Sequence, residues 1–66
     1  MLTVKELIEV LKQVDGDTRV FYESKETFFQ PSRIRIDFEG DLILYNENSA
    51  FYLGDCDTIL LEKEED

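Results

Sequence analysis

The 66-residue chain holds sixteen acids, seven bases and no histidine, for a net charge of -9, and so lacks the basic footprint that direct nucleic-acid binding requires. The excess is segregated: residues 1 to 33 carry six acids against five bases, whereas residues 34 to 66 carry ten against two, which places -8 in the second half. A field of this kind repels anionic membrane as well as nucleic acid and draws basic protein surface, while the short length leaves room for one small domain.

Taken in chain order, Thr3 and Glu6 form a capping box with Leu2 and Leu7 as its staple, which predicts a helix starting at about Val4. Val4, Leu7, Ile8, Leu11 and Val14 recur at the spacing of one apolar face, and Gly16 supplies the stop. From Arg19 the period changes to two. Arg19 to Tyr22 and Thr27 to Phe29 read as strands joined across Ser24-Lys25-Glu26, with Pro31 closing the second. Arg33 to Phe38 alternates most clearly, with Ile34, Ile36 and Phe38 on one side, and Glu39-Gly40-Asp41 turns it into Leu42 to Tyr45. Ala50 to Leu53 and Thr58 to Leu61 are further strands, and residues 62 to 66 form a fraying acidic tail. The expected architecture is α+β: a single domain over 1 to 66, with one N-terminal helix packed on an antiparallel sheet of four or five strands. The second sheet face carries Arg35, Asp37, Ile43 and Tyr45. Either that hairpin is buried on both faces, or Ile43 and Tyr45 form an exposed patch.

One cysteine cannot make a disulfide within the chain, and the start lacks the basic and apolar regions of a signal peptide. No apolar run approaches the roughly 18 residues of a membrane span, so the expected compartment is the cytoplasm. A small core is often reinforced by a partner chain, and a homodimer would have to tolerate doubling the negative field.

Enzyme chemistry finds little support. Without histidine every Ser-His or Cys-His arrangement is closed, and Cys56 lies between Asp55 and Asp57, whose charge disfavours a thiolate. Asp37 to Asp41 resembles a calcium loop only superficially, since the glycine stands fourth rather than sixth and Asn48 occupies the twelfth position, where a bidentate glutamate is needed. Gly16, Gly40 and Gly54 belong to no phosphate-binding motif. The expectation is therefore no catalytic residue, no cofactor and no metal.

The acids support a different role. Duplex DNA carries one phosphate per about 1.7 Å of axis, and carboxylates on neighbouring strands and turns approximate that density over a short stretch. Asp37, Glu39, Asp41 and Glu47, with Asp55 and Asp57 second and Tyr45 as an apolar anchor, are the candidate partner-binding residues. The alternatives are acids that serve solubility alone, or a structural or assembly accessory protein that associates through a sheet edge or an apolar patch.

Residues 2 to 20, from Leu2-Thr3-Val4-Lys5-Glu6-Leu7-Ile8 through Asp15-Gly16-Asp17 to Val20, resemble the start of small acidic uncharacterised proteins of Gram-positive phages and prophages. The proline common in their turn is missing here. The resemblance covers about a third of the chain and carries over no functional residue. It implies a mobile-element setting, in which such proteins are often anti-CRISPR or other anti-defence inhibitors. The partner it implies is a basic protein surface in the host cytosol, such as that of a nuclease.

Overall fold

The computed structural model describes residues 2–24, 30–46 and 56–63. Helix α1 spans Val4–Leu11 and is followed by strands β1 (Val20–Tyr22), β2 (Arg33–Ile36), β3 (Leu42–Tyr45) and β4 (Thr58–Glu62). The protein is α+β, with its helix N-terminal and a sheet of four strands in the order β1-β3-β2-β4.

The capping box forms as its spacing requires. Thr3 Oγ1 accepts the Glu6 N–H at 3.2 Å, and the Thr3 N–H donates to Glu6 Oε1 at 3.0 Å. At its other end the helix tightens, because the Gln13 and Val14 amides each bond three residues back, to the carbonyls of Val10 and Leu11. The helix ends at Leu11 with Lys12 as its C-cap, ahead of the expected stop at Gly16, and Asp15 organises a separate turn after it. Asp15 Oδ1 accepts the Asp17 N–H at 3.0 Å and its carbonyl accepts the Thr18 N–H at 3.1 Å, while among the described residues positive φ falls at Gly40, at 84°.

The helix face is also rotated from the expected one. Val10 is buried with Ile34 and Leu42, and Leu2, Leu7, Val14, Ile36, Leu44, Leu60 and Leu61 pack around them. Val4, Ile8 and Leu11 are exposed. Both sets fit a helical spacing, and the position of the sheet decides between them.

Strands β2 and β3 form an antiparallel hairpin with Ile36 opposite Leu42 and Ile34 opposite Leu44. Within its turn Asp37 Oδ1 accepts the amides of Glu39 and Asp41, both at 3.0 Å, and Gly40 takes the positive φ that a side chain would resist. Phe38 therefore sits in the turn, 76% exposed, instead of continuing the inward face of β2. Strand β4 runs antiparallel along the other edge of β2, with an irregularity in register between Ile34 and Arg35. Its last residue is Glu62, and the Lys63 amide still bonds the Ser32 carbonyl, so these two residues belong to the sheet edge rather than to the expected fraying tail.

Strand β1 is the main departure from an all-antiparallel sheet. It joins β3 in parallel, with Val20 beside Leu42 and Tyr22 beside Leu44, so the connection from β1 to β2 crosses β3. Alternation specifies which face a side chain takes and says nothing of strand neighbours or direction. The expected strands at 27–29 and 50–53 lie outside the described residues.

Candidate functional site

The turn between β2 and β3 brings Asp37, Glu39 and Asp41 together, as their spacing suggests. They are not equally available. Asp41 is buried and held by a bidentate pair, with Arg19 Nε donating to Oδ1 at 3.0 Å and Arg19 Nη2 to Oδ2 at 2.8 Å. Glu39 is exposed, 3.8 Å from the same guanidinium, and Asp37 spends one oxygen on the turn amides. The Asp41 carboxylate holds the Arg19 guanidinium above its ordinary pKa. Arg19 lies ahead of β1 and is invisible as a partner in the sequence, because parallel pairing alone carries it to the hairpin turn.

The remaining candidates fall into a different layer. Tyr45 is 3% exposed, so its ring lies inside the protein and is not a surface anchor. The Arg35 guanidinium sits over that ring, 4.5 Å from its centroid, in cation–π contact. Arg35 is itself 5% exposed and pairs with Glu23 Oε2 at 2.6 Å and Asp57 Oδ2 at 3.2 Å. Burial opposes its charge most strongly, and the hydrogen bond and charge of Glu23, with Asp57 beside them, more than offset this, so its pKa is raised. Burial also raises the Tyr45 hydroxyl, against the opposing pull of Arg35 and Arg33. With Ile43 and Tyr45 both buried, the hairpin is covered on both faces.

A cavity of about 180 Å³ opens beside this layer, lined by Glu23, Arg35, Asp37, Phe38 and Asp57. It joins Asp37 to Asp57 and adds Glu23, which the sequence pattern does not single out. A carboxylate from the first half of the chain, ten residues before β2, gave no periodic signal. Glu47 and Asp55 lie outside the described residues. Cys56 is exposed as a free thiol.

Among the described residues ion pairing takes up most of the bases. Lys12 pairs with Glu9, Arg19 with Asp41, Arg33 with Glu62, Arg35 with Glu23 and Asp57, and Lys63 with Glu6. Among the described residues no group of three metal-ligating side chains occurs, and no helix is long and apolar enough to cross a membrane. No protein-family model, curated protein or solved structure matches the chain.

Proposed function

We propose that the chain is a non-enzymatic binding protein that lays an acidic surface on a basic protein surface of the kind that receives nucleic acid. The observation that carries this reading is the commitment of the bases to partners within the fold, at Arg19, Arg33, Arg35, Lys12 and Lys63. Local pairing cancels these five positive charges, so the acidic excess of a chain of net charge -9 faces outward with little basic surface to interrupt it. The likeness of the N-terminal third to phage and prophage proteins extends the proposal to a host nucleic-acid-handling defence enzyme, such as a nuclease, as the target class.

The test is capture from a bacterial lysate at low salt on the immobilised chain, with a scrambled chain of equal composition as control, followed by elution with duplex DNA. Nucleic-acid-binding proteins should be retained over the control and released by the duplex. Equal retention on the scrambled chain overturns the proposal, because charge without a fold would then suffice.

A second reading, an accessory protein that associates through a sheet edge, is favoured by β1, whose three residues are all exposed. Salt separates the two. Electrostatic capture weakens steeply as ionic strength rises, and a sheet-edge interface changes little.

A further inference from the structure

The helix side of the sheet carries a second cavity, unlike the one beside Arg35. The end of α1 and the start of β1 enclose a cleft of about 260 Å³, lined by Leu11, Val14, Asp15, Thr18, Val20 and Leu42. Its floor is Leu42, fully buried in the core. Its walls are apolar and open to solvent, with Leu11 41% and Val20 57% exposed. Val4 and Ile8 extend the exposed stripe along the helix, and Tyr22 extends it along the strand.

The charged side chain in the lining of this cleft is an acid. Asp15 lines it and Asp17 follows in the same turn, and neither has a cationic partner among the described residues. Asp15 Oδ1 accepts one backbone amide, that of Asp17. Elsewhere Asp41 and Asp57 are neutralised by Arg19 and Arg35, so the cleft combines exposed aliphatic surface with carboxylates that still lack a counter-charge.

We propose that this cleft is the docking site for a partner segment that carries an aliphatic side chain between lysines or arginines. The proposal rests on the acidic-binding reading above and names the place where it acts. The volume suits the occupant, since an apolar cavity of about 150 Å³ already admits benzene. Charge selects it: the aliphatic group fills the space above Leu42 while the flanking bases meet Asp15 and Asp17. A second copy of the chain is the poorer occupant, because it would bring -9 against -9.

The experiment titrates three capped peptides into the isotope-labelled chain and follows its amide resonances: Lys-Lys-Leu-Leu-Lys-Lys, Lys-Lys-Ser-Ser-Lys-Lys and Glu-Glu-Leu-Leu-Glu-Glu. The basic leucine peptide should shift Leu11, Val14, Gly16, Thr18 and Val20 and bind at least about tenfold more tightly than either of the others. Val20→Thr, at a half-exposed edge position that keeps β-branching, should weaken that peptide while circular dichroism stays unchanged. Equal affinity for the two basic peptides overturns the cleft and leaves the acidic-surface reading standing. Equal affinity for the two leucine peptides removes the role of Asp15 and Asp17. Binding of neither basic peptide sinks both readings. Concentration-dependent dimerisation by sedimentation, abolished by Leu11→Gln, would make a second copy the occupant and overturn the proposal.

Discussion

The two faces of the sheet are closed by different means, and both leave edge strand β1 exposed, at Phe21 opposite the helix and at Val20 and Tyr22 on the helix side. Opposite the helix, Arg35, Ile43 and Tyr45 are all buried, and a charged side chain forms part of the closure. On the helix side Ile34 and Leu42 are fully buried, yet Val20 and Tyr22 of the same face are exposed. Width explains the exposed edge on the helix side. A helix is about 10 Å across and strands are about 4.8 Å apart, so one helix spans about two strands of four. The central pair β3 and β2 is covered, and edge strand β1 is left as the wall of a cleft. Completeness of burial thus follows from which strands sit in the middle.

The largest test of this contrast is Arg35→Met. If the second face is held by the guanidinium, its removal takes the buried positive charge from Glu23 and Asp57 and should destabilise by about 3–5 kcal/mol in chemical denaturation, enough to unfold so small a domain. Neutralising both carboxylates as well, with Glu23→Gln and Asp57→Asn, should recover most of that loss. Equal stability of wild type and Arg35→Met would mean that the buried ion pairs do not close this face.

A test of intermediate size compares residues within the helix side. Leu42→Ala should cost about 2–5 kcal/mol through the cavity it leaves, whereas Leu11→Ala, on the cleft wall, should cost less than about 1.5 kcal/mol. Similar losses at the two positions would place Leu11 in the core and close the cleft.

What the sequence makes legible follows the same division. Local signals held: the Thr3–Glu6 box, the alternation of Ile34 and Ile36 and the turn at Gly40 all depend on residues a few positions apart, and each appears at its expected place. Non-local choices did not. Leu7 and Val10, continued by Val14 beyond the helix end, and Val4-Ile8-Leu11 both fit a helical spacing, and only the sheet's position selects the first. The parallel docking of β1 gives no periodic sign, and the ion pairs of Arg19 with Asp41 and Arg35 with Glu23 depend on that docking. The acidic site was legible as a composition and as a turn at Asp37, Glu39 and Asp41. Which acids remain without a counter-charge was not, because that depends on where each arginine lands.

The smallest expected effect concerns pH and the seam that fastens the helix side. Glu6 belongs to the cap of α1 and also meets Lys63, just beyond β4, with Nζ 2.9 Å from its carboxylate. The Lys63 hydrogen bond, followed by those from Thr3, lowers its pKa from 4.5 to about 2. A carboxylate depressed in the folded state releases its proton more readily there than in the unfolded chain. Its contribution is therefore fully present above pH 4.5 and is lost as the pH falls from 4.5 toward about 2. Thermal melts of wild type and Glu6→Gln should accordingly differ by a constant amount at neutral pH and converge through that window. Other acids titrate in both proteins, so the difference between the curves isolates Glu6. Lys63→Met should remove most of the same pH dependence while leaving the Thr3 cap in place. If that variant keeps the full wild-type dependence, the cap alone holds the carboxylate ionised, and the seam to β4 contributes nothing to the helix side.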